Sequence, residues 1–418
     1  MKRYYSYKPS GIFWVSKIPT HWHINKLKYV LTKLDRERLP NSELLICSNS
    51  GNVTLRGDTK LGLVSSTNDI YQGVKSGDLL IHGMDTWHGA VGISQYDGMC
   101  TPVVHVCNST QNKQWVYYYI RFMAQSKVFK LISNGVRQNT SDFRSWDKFA
   151  AIPILLPPLS EQEKIVEFLT SKTSQIDAQV TERERELQLL NELKQAEIAN
   201  IVTHGLNPDV PMKDSGIPWI GQIPEHWEVM RMKRIFSESQ EKTDVDGGQL
   251  LSLSQYTGVT PKIEGQKVGM FEAETTVGYN VVHPGQFVMN IMLAWNGSYA
   301  VSDYEGVISP AYSVFNFEIE CKKKYFHYLL RMQSYSGAFK TMSKGIIDSR
   351  LRLYPTYFFQ FPCIVPPLNE QRAIVEYIEN KVKGIDDMVA NLQAEIDYLK
   401  EYKQRLIADC VTGQVKVE

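Results

Sequence analysis

The strongest constraint on this chain is an internal repeat. Residues 10–31, SGIFWVSKIPTHWHINKLKYVL, return as residues 215–236, SGIPWIGQIPEHWEVMRMKRIF, with nine identities at an offset of 205. These are Ser10/Ser215, Gly11/Gly216, Ile12/Ile217, Trp14/Trp219, Ile18/Ile223, Pro19/Pro224, His21/His226, Trp22/Trp227 and Lys28/Lys233. A second block, PPLSEQEKIVE at 157–167, returns as PPLNEQRAIVE at 366–376, at an offset of 209. The period is far too long for a solenoid unit, so one domain-plus-connector module of about half the chain occurs twice. A chain built this way is expected to do one thing at two places.

The segments that follow the second block carry the clearest periodicity. From Val375, apolar residues alternate by three and four: Val375, Ile378, Val382, Ile385, Val389, Leu392, Ile396 and Leu399, then Lys403, Leu406 and Cys410. That seam runs for about five heptads and argues for a coiled coil. The first copy repeats it with more polar interruptions, at Val166, Leu169, Thr173, Ile176, Val180, Arg183, Leu187, Leu190, Lys194, Glu197 and Ile201. Both copies place a lysine at one equivalent seam position, Lys194 and Lys403, where a polar residue fixes register at some cost in stability. Ser160 and Asn369, just after the Pro-Pro pairs, are expected as N-caps, with a capping box completed in the first copy by Glu163. Helices of this length, roughly 65 Å, gain stability from a partner face. The simplest partner for each is the other, run antiparallel, which would set the modules at opposite ends of a rod.

The stretches between the repeats, about 32–156 and 237–365, read as mixed α/β. Strand-like runs (Leu79-Leu80-Ile81, Phe287-Val288-Met289, Val103-Val104) are bounded by turn residues, and aromatic helical stretches follow at 115–123 and 325–332. The fold class expected is therefore α+β: two globular mixed α/β domains joined by two long antiparallel helices, with a pseudo-twofold internal repeat. The boundaries read as 1–159 for the first domain with its repeat block, 160–204 for the first long helix, 205–368 for the second domain with its block, and 369–418 for the second long helix and tail.

The net charge of +1 conceals an uneven distribution. Residues 160–204 sum to −4 and residues 369–412 to −3, so everything else sums to +8. Residues 113–148 hold seven bases and two acids, and residues 321–368 eight bases and one acid. Basic patches recurring at one point of both copies are the electrostatic footprint of a phosphate-binding surface. The N-terminus lacks the apolar run of a signal peptide, and no segment approaches the roughly 18 apolar residues of a membrane span. The six cysteines show no CxxC spacing, which reads as a reduced, cytoplasmic protein.

Catalytic signatures are sparse: there is no GxGxxG after a strand, no GxxxxGK[ST], no HExxH and no GxSxG. His21 and His226 read as structural members of an aromatic turn, IPxHW, and Trp14, Trp22, Trp219 and Trp227 as core anchors. The residues suited to DNA lie in the divergent parts. Arg137, Gln138, Asn139, Thr140 and Arg144 surround Gly135 in one loop; Lys344, Asp348, Arg350 and Arg352 surround Gly345 in the other. Arginine can bridge guanine O6/N7, and asparagine or glutamine can bridge adenine N6/N7. A second pair of candidate groups flanks a turn after a strand: His82, Asp85 and His88 beside Trp87, matched by Asn290 and Asn296 beside Met292 and Trp295.

The IPxHW block ahead of each module, the I-x-x-P-P-L-x-E-Q-x-x-I junction from Ile154 to Ile165 with its tighter second copy from Ile364 to Ile374, and the two long helices together resemble the specificity subunit of type I restriction–modification systems. The resemblance covers essentially the whole chain. It implies that each module reads one half of a split, asymmetric site on double-stranded DNA. It also implies that the helices set the spacer and, around Glu161, Gln162, Glu370 and Gln371, dock two modification subunits. S-adenosylmethionine, ATP and Mg would then sit on the modification and restriction subunits, with no cofactor, metal or catalytic residue on this chain. Two other classes compete with this reading. A fused nuclease or methyltransferase would need a domain outside the repeated body, and a pure coiled-coil scaffold would need no basic patches.

Overall fold

The computed structural model describes residues 2–38, 42–57, 71–133, 143–262, 275–345 and 351–418. The chain divides into two compact units, Met1–Glu184 with Gln393–Glu418, and Arg185–Leu392. Each unit takes a share of both long helices, Leu159–His204 and Leu368–Val411.

The first unit opens with an antiparallel hairpin, Tyr7–Ile12 against Val15–Pro19. The next strand, His23–Lys26, pairs antiparallel with Pro153–Leu156, so that Leu156 lies opposite His23. The divergent module is inserted between those two strands. Its centre is a four-stranded antiparallel sheet in the order Leu31–Lys33, Val104–Ser109, Leu79–His82, Val91–Ile93. A hairpin (Leu45–Cys47 with Val53–Leu55) and a strand pair (Gln72–Val74 with Gly98–Cys100) accompany the sheet, and the helix Lys113–Gln125 follows it.

The second unit repeats this plan. Met212–Asp214 pairs with Gln222–Pro224, and Glu228–Arg231 pairs with Pro362–Val365. The sheet has the same order, Phe236–Glu238, Tyr312–Phe317, Phe287–Asn290, Tyr299–Val301. The hairpin recurs as Leu251–Ser254 with Gly258–Pro261, and the strand pair as Asn280–Val282 with Gly306–Ile308. The helical stretch breaks in two, Lys323–Leu330 and Gln333–Met342.

Side chains alternate across a strand, so a sheet covered on both faces reads as a continuous apolar run. In Phe287–Asn290 every residue is buried. Phe287 and Met289 face a large core with Trp227, Phe236, Phe315, Tyr325 and Phe358, which continues into Ile374, Val375 and Ile378 of the second long helix. Val288 faces a smaller core with Leu251, Leu253, Val259, Val282, Ile308 and Val314. Its counterpart in the first unit holds Leu45, Cys47, Val53, Val74, Leu80, Cys100 and Val106. These seven positions of the two small cores match at offsets of 206 or 208, although the sequences around them have diverged.

The heptad seam is buried or half-buried at every expected position of both helices, from Val166 to Ile201 and from Val375 to Cys410. Within the first unit, Asp177 meets Lys403 whereas Glu184 meets Lys400 and Arg183 meets Glu395. From Asp177 to the pair Arg183 and Glu184 the partner number falls from 403 to 395 and 400, so the helices run antiparallel. The helices begin at Leu159 and Leu368, where Pro158 O and Pro367 O accept from the first free amides. Ser160 and Asn369 thus lie inside the first turn, two residues past the N-cap positions at 158 and 367, so neither caps its helix and Glu163 does not complete the capping box expected of it.

The two seam lysines are paired reciprocally. Lys403 Nζ lies 2.6 Å from Asp177 Oδ2 in the first unit, and Lys194 Nζ lies 2.6 Å from Asp386 Oδ1 in the second. Both partners are offset by 209, so one sequence device is used twice. The pairs are partly solvated and add modestly to stability, but each closes in one register only. A double-mutant cycle on Asp177→Ala and Lys403→Ala, followed by thermal unfolding, is expected to give a coupling of about 0.5–1 kcal/mol.

Candidate nucleic-acid interface

The candidate surface rests on a frame built from the repeated blocks. At the head of the first long helix, Glu161 accepts from His21 Nε2 (2.8 Å), Trp22 Nε1 (3.2 Å) and the Tyr4 hydroxyl. At the head of the second, Glu370 accepts from His226 Nε2 (2.6 Å) and Trp227 Nε1 (2.9 Å). A carboxylate in the first turn also suits the positive end of the helix dipole. The structural role expected for the histidines is the one found, and Trp22 and Trp227 are fully buried.

Gln162 and Gln371 correct an expectation. They are 0% and 1% exposed and offer no surface to a docking partner. The Gln162 amide donates to Pro157 O and Gln111 Oε1, both at 2.8 Å, and its oxygen accepts from Asn112 N at 3.2 Å. Gln371 donates to Pro366 O (2.8 Å) and accepts from Lys322 N (2.9 Å). Asn112 and Lys322 are the residues before the module helices, so each glutamine staples the head of a long helix to the head of a module helix. The Glu-Gln dipeptide is thereby consumed inside the fold.

A further frame contact carries a signal that sequence reading passed over, the near-repeat IVTHG and CVTG at the helix ends. Gly205 and Gly413 have φ of +76° and +69°. A Cβ at Gly205 would lie 3.2 Å from Trp227 Cζ2; one at Gly413 would lie 2.4 Å from Pro19 Cδ and 3.2 Å from Trp22 Cη2. Each long helix therefore ends in a left-handed glycine set against a turn tryptophan, a position closed to other residues by both sterics and backbone.

Above this frame, the structure brings the two kinds of candidate residue together in each module. In the first, a short turn of 3-10 helix at Thr86–His88 follows the strand ending at His82. Gly83 N donates to Val103 O, and a Cβ on Gly83 would lie 3.0 Å from Arg144 Cα, so Arg144 stands beside the turn that carries Asp85 and His88. In the second, the 3-10 turn is Ala294–Asn296 after Asn290, and Leu353 N donates to Ile291 O, which seats Arg352 beside it. Lys344 exchanges two 2.9 Å backbone hydrogen bonds with Arg352, and its ammonium sits over the Tyr357 ring. Arg137, Gln138, Asn139, Thr140, Asp348 and Arg350 lie outside the described residues.

Individual roles within the surface differ. His88, Arg144, Asn296, Lys344 and Arg352 are exposed. Asn290 is buried and its Oδ1 accepts from Met292 N, so it shapes the turn instead of facing outward. His82 does the same work: its Nδ1 accepts from Asp85 N at 3.0 Å, and burial lowers its pKa. Asp85 Oδ2 is 3.3 Å from that nitrogen, but a ring nitrogen already accepting an N–H is not the charged half of an ion pair. Sequence reading missed two cations here. Lys130 stands over the Trp87 ring at 5.7 Å and Lys340 over the Trp295 ring at 5.2 Å, so both turns carry a lysine-capped tryptophan.

No group of three or more His, Cys, Asp or Glu among the described residues is arranged to hold a metal. Burial pushes the Cys47, Cys100 and Cys107 thiols up to about 12, which leaves them protonated and poor nucleophiles. No helix among the described residues is long and apolar enough to cross a membrane.

Comparison with known proteins agrees with this architecture. No family model matches the chain. A Methanocaldococcus jannaschii protein named "Putative type I restriction enzyme MjaX specificity subunit" is 23% identical over 449 aligned residues, spanning 97% of this chain and 96% of its own. The "Type I restriction enzyme MjaVIII specificity subunit" of the same organism is 26% identical over 291 residues, spanning 65% of this chain and 64% of its own. A solved structure described as the basis of "complex assembly" and "conformational transition of the type I R-M system" superposes with a TM-score of 0.68 at 15% identity, covering 96% of this chain and 100% of that one. At that identity the likeness speaks for the fold.

Two stability predictions follow from the frame and module. Removing Glu370 leaves the buried Trp227 Nε1–H without its acceptor, so Glu370→Ala should lower stability by about 1–3 kcal/mol in thermal unfolding, and Glu370→Gln by less. Burial, aided by Arg331 and Lys324, lowers His327 from 6.5 to about 4. Between those pH values the unfolded chain binds a proton that the folded chain refuses, so stability should fall as pH drops from 6.5 to 4 and then level off. In His327→Gln that segment of the pH–unfolding curve should flatten.

Proposed function

Because the curated homologues of this chain are type I restriction enzyme specificity subunits, we propose that it is the sequence-reading, non-catalytic subunit of a type I restriction–modification complex. Each module reads one half of a bipartite, asymmetric site on double-stranded DNA. The observation that carries this reading is a contrast within the repeat. Frame, sheet order and small core recur in both modules, whereas the exposed turn changes from Asp85 and His88 to Leu293 and Asn296. Equal scaffolds with unequal tips suit two different half-sites. Arg144, Arg352 and Lys344 supply contacts to phosphate or guanine, and Asn296 suits adenine. The cations over Trp87 and Trp295 add to the phosphate-seeking charge.

On this reading the chemistry belongs to partners. Two modification subunits supply S-adenosylmethionine-dependent methylation of adenine, and restriction subunits supply ATP- and Mg-dependent cleavage, all in the cytoplasm. With Gln162 and Gln371 buried, the docking surface passes to the outer faces of the helices, where Leu189, Leu193 and Tyr398 are exposed. The helices also set the spacer. Their roughly 65–70 Å suits half-sites centred one to two DNA turns apart, at about 34–36 Å per turn.

Co-expression with the cognate modification subunit, followed by genome-wide mapping of methylated adenine, tests the reading. A bipartite motif with a fixed spacer is expected; a continuous motif, or none, would remove the proposal. Deleting one heptad from each helix shortens it by about 10 Å and should shift the preferred spacer by up to about three base pairs. Replacing residues 32–156 with another module should change one half of the motif only.

A further inference from the structure

One arginine in each module does something that neither the repeat blocks nor the exposed loops announce. Arg121 stands eight residues after the start of the helix Lys113–Gln125, and Arg331 eight residues after the start of the helix Lys323–Leu330, directly past its end. In the first module, Arg121 Nη1 donates to Asn49 O at 2.7 Å and to Gly89 O at 2.6 Å. In the second, Arg331 Nη1 donates to Tyr299 O at 2.9 Å and its Nη2 donates to Gln255 O. Asn49 and Gln255 lie in the linking turns of the two equivalent hairpins, Leu45–Cys47 with Val53–Leu55 and Leu251–Ser254 with Gly258–Pro261. Gly89 closes the 3-10 turn Thr86–His88, and Tyr299 opens the strand just past the turn Ala294–Asn296. Each guanidinium therefore bridges the hairpin tip of its module to the chain leaving the turn whose side chains differ between the copies, at the turn's last residue Gly89 in the first and at the first strand residue beyond it, Tyr299, in the second.

The surroundings are cut to fit this bridge. A Cβ at Gly89 would lie 2.5 Å from Arg121 Nη1, and one at Gly51 would lie 3.0 Å from Arg121 Cζ and 2.8 Å from the Tyr117 hydroxyl. Both glycines also sit at positive φ, +90° and +92°. Space is kept clear on two sides of the cation. The named acceptors are neutral backbone carbonyls, which respond to geometry and carry no charge of their own. A half-buried cation spent on orienting loops is costly unless the orientation matters.

We infer that Arg121 and Arg331 are positioning residues for base reading, each locking the recognition turn of its own module so that its loss relaxes discrimination at one half-site and spares the other. This rests on the proposed function and deepens it. Neither arginine touches DNA on this account. Each acts through the turn: Asp85 and His88 in the first module, Leu293 and Asn296 in the second.

The test uses the complete complex with its modification subunits and measures initial methylation rates on duplexes carrying the correct bipartite site or a single base change in either half. Arg121→Gln should reduce discrimination at one half at least about fivefold, the lower end of one good base contact, and Arg331→Gln should do so at the other half. The salt dependence of DNA binding should stay close to wild type, because no phosphate contact is lost. Lysine variants separate a bridge from a bulk effect. A single nitrogen makes both contacts in Arg121, so Arg121→Lys should retain most discrimination. Two nitrogens share them in Arg331, so Arg331→Lys should lose it. Unchanged discrimination in both glutamine variants, or equal loss at both halves, would overturn the inference. If either glutamine variant fails to fold, the contrast between the two lysine variants decides. Failure of the wild-type complex to prefer any bipartite site would instead count against the function itself.

Discussion

A single carboxylate at the head of each long helix holds together parts of the chain that are far apart in sequence. Glu161 ties the helix to a turn 140 residues earlier, and Glu370 does so across 144. The next residue, a buried glutamine, reaches in another direction and fixes the start of the module helix. Helix, turn and module helix are thus placed by two adjacent side chains whose polar atoms are satisfied within the protein. A buried indole N–H and a buried amide are costly to leave unpaired, so these contacts are all present or the junction opens. The strand pairs His23–Lys26 with Pro153–Leu156 and Glu228–Arg231 with Pro362–Val365 close each junction by backbone alone.

Much of this was legible in the sequence because the repeat gave two readings of the same constraint. The seam from Val375 to Cys410 and its weaker copy could be written down from spacing alone, since apolar side chains three and four apart must share a face. The buried tryptophans followed from standing in the blocks that do not diverge. The meaning of Glu-Gln did not follow. Two polar residues at a helix start look like surface, and only the return of the module helix to that point buries them. The arginine bridges were hidden for a related reason. Arg121 and Arg331 sit at matching places in WVYYYIRFM and YFHYLLRM, but their acceptors are backbone carbonyls, which leave no trace in a sequence.

The two turns also show how one scaffold offers unlike chemistry. In the first module the tip is polar, with Asp85 and His88 flanking Trp87. In the second, Met292 and Leu293 are exposed beside Asn296, and Tyr256 stands out from the neighbouring hairpin tip. Asn290 and His82 occupy one position and do one job, accepting a backbone N–H to shape the turn, with different side chains. Identity is therefore a poor guide to which residues face outward here; a divergent pair can be structural.

The two cores flanking each sheet have unequal freedom. In the second unit the large core runs without interruption from Trp227 through Phe287 and Phe358 to Ile374 and Ile378, so the inner face of the module and the head of the helix are one packed solid. The smaller core beneath the hairpin touches none of that frame. A lineage that acquires a new module by recombination must therefore inherit the aromatic inner face with it, or lose the junction. Drift in the exposed side chains of the hairpin and turns is under no such constraint. Change can then accumulate by gradual mutation on one side of the sheet, and arrive only in whole segments on the other.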